Sequence, residues 1–72
     1  MRLLIIEDNK SLANSMKTGL EKAGFYVDLS YTGNEGEEQA FVNGYDAILL
    51  DLNLPDKDGI DILKFLRSEH IE

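Results

Sequence analysis

Four consecutive apolar residues, Leu3 to Ile6, stop abruptly at Glu7-Asp8-Asn9, the pattern of a strand buried on both faces that emerges into a polar loop. Asn9 is placed to cap a helix in which Leu12, Met16 and Leu20 share one face, and Gly24 is placed to end it. Val27 and Leu29 then alternate with Asp28 and Ser30 through a short second strand. Thr32-Gly33-Asn34 is a turn that can cap a second helix from about Glu35, with Gly44 closing it; Gly36 and the pair Glu37-Glu38 make this the weakest element. Ala47 to Leu50 forms a third apolar run that ends at Asp51 and reads as a strand buried on both faces. Leu54 to Gly59 is a loop, after which Ile60, Leu63 and Leu66 mark a third helix with Asp58 as its cap.

Strand and helix alternate three times, which predicts an α/β fold: a parallel sheet with helices on its faces, joined by right-handed connections. Ligand-binding groups in such sheets collect at the carboxyl ends of the strands, and Glu7, Asp8 and Asp51 all fall at such ends. The 72 residues allow one domain, without internal repeat or linker. A chain of this length buries only about 60 % of the surface its unfolded form exposes, so its stability is marginal. With 43 % hydrophobic and 29 % charged residues the composition is that of a packed globule. The net charge of -7 and the scatter of the seven basic residues exclude a nucleic-acid interface in this segment. The absence of cysteine excludes disulfides, a thiolate nucleophile and thiolate metal sites. The apolar opening is too short for a signal peptide or a membrane span, so a cytoplasmic location is expected.

Three carboxylates converging at one sheet edge repel one another, which raises the pKa of at least one of them; a divalent cation reverses that penalty. Magnesium suits so sparse a site better than calcium, because it keeps several waters and needs only one or two carboxylates plus a substrate phosphate. Zinc has little to hold it, since the one histidine, His70, stands in the closing residues. A carboxylate can attack phosphorus to form an aspartyl phosphate. Asp51, single at a strand end with a loop behind it, is the better nucleophile, and the Glu7-Asp8 pair looks like the metal holder. Pro55 and Gly59 read as turn residues, the aromatic residues as core or rim, and Glu35, Glu37 and Glu38 as an exposed first helical turn favoured by the helix dipole.

The opening Leu-Leu-Ile-Ile-Glu7-Asp8-Asn9 and the segment Ile48-Leu-Leu-Asp51-Leu-Asn53-Leu-Pro55-Asp-Lys-Asp-Gly59 resemble response-regulator receiver domains of two-component systems. The Leu-Pro-Asp-x-Asp-Gly wording further resembles the OmpR/PhoB-type subfamily, whose members join a receiver to a winged-helix DNA-binding domain. The resemblance implies the flavodoxin-like (receiver) fold, a doubly wound parallel sheet, here truncated to three βα units in strand order 2-1-3. It also implies that residues 1–72 are the amino-terminal part of a receiver domain without its output domain. By the same resemblance Asp51 is the phosphoacceptor, Glu7 and Asp8 form the acidic pair, Asn53 offers its backbone carbonyl to magnesium, and the partner is a sensor histidine kinase. Such a module is a phosphoacceptor rather than a conventional enzyme. Of the family's five βα units the chain supplies three, so no residue is assigned to the hydroxyl position, the phosphate-pairing lysine or the aromatic switch. Two rival readings follow: a non-switching binding or self-assembly element, and a plain acidic cation-binding domain. In order 2-1-3 the third strand lies outermost, an unusual place for so apolar a run, and self-association through that edge, most simply as a two-fold dimer, is expected.

Overall fold

Elements form where the apolar runs and caps place them. The computed structural model describes residues 1–51 and 54–68. They comprise β1 (Arg2–Ile6), α1 (Lys10–Lys22), β2 (Tyr26–Ser30), α2 (Gly33–Val42), β3 (Ala47–Leu50) and α3 (Gly59–Ser68). The strands form one parallel sheet in the order β2-β1-β3. In register, Leu3 lies beside Val27 and Ala47, and Ile5 beside Leu29 and Leu49. As expected for a central strand, Leu3 to Ile6 are all buried, and alternate residues serve opposite faces. Leu3, Ile5 and Val27 pack with Met16 and Leu20 of α1 on one face, whereas Leu4 and Ile6 pack with Ala40 of α2 and with Ile62 and Leu66 of α3 on the other. Leu54, just past the third strand, joins this second core.

The helix ends are chemically explicit. The Asn9 side chain accepts from the Leu12 amide at 3.0 Å, satisfying a donor that the first helical turn leaves unpaired. At the other end of α1, Gly24 adopts φ 96°, a left-handed conformation that glycine takes without a Cβ penalty. Phe25 N then donates to Leu20 O at 3.2 Å and Gly24 N to Glu21 O at 3.0 Å, the two-bond Schellman closure. Helix α2 starts at Gly33, two residues before the expected Glu35, because Thr32 is the cap, accepting from the Glu35 amide at 3.2 Å. It ends at Val42 with Asn43 as cap, so Gly44 lies beyond the helix. In α3 the Asp58 carboxylate accepts from the Ile60 amide at 2.9 Å, as expected of a cap.

Several apolar positions are turned differently from their expected places. Leu12 and Ile60 are exposed, and the buried positions of their helices are Ala13 in α1 and Gly59, Ile62 and Leu66 in α3. The strand β3 is not buried on both faces. Leu49 is 39 % exposed, because it shares the face of Ile5 and Ala47 but projects past the cover that α1 gives to β1 and β2. Glu37, expected in an exposed turn, is half-buried and paired with Lys57. No helix among the described residues is long and apolar enough to cross a membrane.

Candidate acidic metal and phosphoacceptor site

The site forms where β1 and β3 end side by side. The Asp51 amide donates to Ile6 O at 3.0 Å and the Glu7 amide to Ser30 O at 2.9 Å, continuing the ladders by one residue. Glu7 and Asp51 are thereby fixed at neighbouring strand ends, with Asp8 next in the chain. Carboxylate oxygens of Glu7, Asp8 and Asp51 all lie within 4.8 Å of one another. The three acids singled out in the sequence are therefore brought together in space from positions 7, 8 and 51. Asn53 and His70 lie outside the described residues.

The electrostatics carry the cost of that convergence. Glu7 Oε2 accepts from the Asn9 amide at 3.2 Å, and this bond, the largest influence on the Glu7 carboxyl, pulls its pKa down. Burial, hydrogen bonding to Asp51 and Asp8, and the charge of Asp51 push the other way and prevail, so the pKa is raised above its ordinary value. A cation among these oxygens offsets the part of the shift that the neighbouring carboxylates cause. Metal–oxygen distances near 2.1 Å put neighbouring ligands of magnesium about 3 Å apart and opposite ones about 4 Å apart. A cluster spanning up to 4.8 Å fits an ion held by some of these oxygens directly, with water completing the shell. The donor set is all oxygen and part-exposed, as a hard cation requires.

A profile of the response regulator receiver domain matches residues 3–72. The chain belongs to this family. Among curated relatives, the transcriptional regulatory protein QseB of Escherichia coli O157:H7 is 46 % identical over 69 residues, covering 96 % of this chain and 32 % of that protein. The chain thus spans about a third of the length of such relatives, which are OmpR/PhoB-type regulators. Among solved structures, the receiver domain of Francisella response regulator 1452 superposes with a TM-score of 0.92 at 34 % identity, covering 97 % of this chain and 58 % of that one. Response regulator TrrA of Thermotoga maritima, solved in complex with Mg(2+)-BeF, gives a TM-score of 0.91 at 25 % identity, with coverages of 94 % and 59 %. The receiver fold and the 2-1-3 strand order anticipated from the sequence both hold.

Two features beside the acids escape a sequence reading. Lys10 Nζ lies 5.2 Å from the centre of the Tyr31 ring, joining the start of α1 to the end of β2. Asp56, five residues past Asp51, reaches across to the start of α2. The partners of Asp56 are 23 and 22 positions away, beyond anything local spacing signals.

Proposed function

We propose that Asp51 of this receiver accepts a phosphoryl group from the phosphohistidine of a sensor histidine kinase. In this reading Glu7, Asp8, Asp51 and the backbone carbonyl of Asn53 hold magnesium, and modification controls a transcriptional output outside the 72 residues. The chain is then the amino-terminal three of five βα units of a cytoplasmic signalling protein. The observation that carries the reading is the convergence of Glu7, Asp8 and Asp51 at the ends of β1 and β3. A carboxylate oxygen of Asp51 forms the new bond to phosphorus while the phosphorus–nitrogen bond of the donor breaks, its electron pair staying on the imidazole, which takes up a proton. Magnesium, when bound, supplies the positive charge that the transferred oxygens require. The chain's own contribution is positional: the Asp51 amide bond to Ile6 holds the nucleophile at a strand end, and Glu7 and Asp8 flank it with acceptors.

Intact-mass measurement after incubation with a small phosphodonor and magnesium tests this reading. The expected result is a gain of one phosphoryl group, absent without magnesium and absent in Asp51→Asn. Labelling is expected to be slow, because in this reading no lysine of the 72 residues pairs with the transferred group. A modified peptide that excludes Asp51 would refute the assignment.

A second reading, self-association, has its own observation. The edge of β3 away from β1 has no strand beside it among the described residues, and Leu49 is exposed on that strand. Unpaired strand amides and carbonyls beside an apolar face template another copy of the chain. Light scattering over a concentration series is expected to show dimer growth, reversed by Leu49→Lys, which places a charge on that face. A monomer at every concentration would exclude this reading.

A further inference from the structure

The loop after Asp51 is tied to α2 by contacts that the proposed chemistry does not use. Asp56 Oδ1 accepts from the Gly33 amide at 2.8 Å and Oδ2 from the Asn34 amide at 2.9 Å, so one carboxylate satisfies the first two donors of α2. Charge-assisted bonds of this kind at a helix amino terminus are stronger than neutral ones and are favoured by the helix dipole. The Gly33 and Asn34 amides hold the Asp56 carboxyl below the usual carboxylate range. Lys57, the next residue, pairs with Glu37 one turn further along α2. Gly33 leaves no room between the two elements: a Cβ there would lie 2.7 Å from Ile62 Cδ1, 3.0 Å from Lys57 Cβ and 3.3 Å from Asp56 Oδ1. The loop is therefore pinned at five described points, by the Asp51 amide on Ile6, by buried Leu54, by Asp56 on α2, by Lys57 on Glu37 and by Asp58 capping α3.

We infer that Asp56 is a positioning residue for the acidic site, fixing the loop that carries Asp51 against the amino terminus of α2. The inference rests on the reading of Asp51 and its neighbours as a magnesium and phosphoacceptor site. The bonds of Asp56 run to α2 and not to the three acids; it acts by denying the loop the freedom to move away from α2. A misplacement of a catalytic group by about 1 Å costs up to a hundredfold in rate, so a latch five residues from the nucleophile has leverage. Its two bonds also make the position of α2 and the position of the loop one variable.

The test compares the full chain with Asp56→Ala and Asp56→Asn, the latter keeping one acceptor oxygen. Three quantities are read: magnesium affinity, the rate of phosphodonor labelling at saturating magnesium, and the amide resonances of Asp51 and Leu54 without metal. Asp56→Ala is expected to weaken magnesium binding and slow labelling, each about tenfold, and to shift both resonances, with Asp56→Asn intermediate in all three. A purely structural cap would lower the melting temperature and leave affinity and rate of the folded protein unchanged; that result overturns the inference. If the parent chain neither binds magnesium nor labels, the reading of the acidic site fails. The resonances then decide the positional claim alone: shifts at Asp51 and Leu54 uphold it, and unchanged shifts overturn it. Should Asp56→Ala not fold, Asp56→Asn supplies the same comparison.

Discussion

Combining Asp8→Ala with Asp51→Asn is expected to abolish the proposed magnesium binding, with calorimetric titration reading an affinity at least about a hundredfold below that of the parent. Two of the three converging carboxylates are then gone, and Glu7 alone offers a single charge partly engaged by the Asn9 amide. The same change removes the hydrogen bonding to Asp51 and Asp8 and the Asp51 charge that, together with burial, raise the Glu7 pKa. In a chelator the double variant should therefore melt no lower than the parent, while added magnesium raises the melting temperature of the parent alone. Affinity unchanged in the double variant would show that the cation, if bound, sits elsewhere, and that the cluster is only an acidic surface.

The site was legible because its parts have local signatures. The pair Glu7-Asp8 and the single Asp51 each follow an unbroken apolar run, and a parallel sheet in order 2-1-3 puts the ends of those runs side by side whatever lies between them. The first helix was legible too, since Asn9 and Gly24 are end signals that act within one turn. What escaped depends on tertiary partners. Glu37 looks solvated until Lys57 is placed beside it, and Asp56 looks like a turn residue until α2 arrives from more than 20 positions earlier in the chain. Leu49 reads as core because Ala, Ile, Leu and Leu carry no polar member, yet burial on both faces depends on what covers the strand, and α1 stops short of it. The register of the third helix slipped for a related reason. Ile60, Leu63 and Leu66 fit helical spacing as well as Ile62 and Leu66 do, and the position of the sheet decides which set is buried.

Gly36 is where local preference and tertiary packing conflict most openly, since a Cβ there would meet closer atoms than at Gly19, Gly24, Gly33 or Gly44, and its replacement by alanine should carry a large stability cost. By helix propensity alone, Gly36→Ala should stabilise α2 by about 1 kcal/mol. Yet a Cβ there would lie 2.5 Å from Ile6 Cδ1, 2.7 Å from Cγ1 and 3.0 Å from Cγ2. Ile6 is fully buried in the central strand between Ser30 and Leu50, directly before Glu7, and both its γ carbons are among the close atoms, so turning the terminal methyl alone does not make room. Overpacking of this kind costs about 1–3 kcal/mol, which exceeds the propensity gain and is large against a total stability of about 4–10 kcal/mol for a domain of this length. Urea unfolding is expected to show Gly36→Ala destabilised and Gly36→Val unfolded or nearly so. The cause is separable by a double-mutant cycle with Ile6→Ala. That change alone leaves a cavity worth about 2–5 kcal/mol, but it opens the space the new methyl needs, so the combined loss should be smaller than the sum of the two. If Gly36→Ala instead raises the urea midpoint, propensity outweighs contact at this position, and the close approach of α2 to β1 is not what selects glycine there.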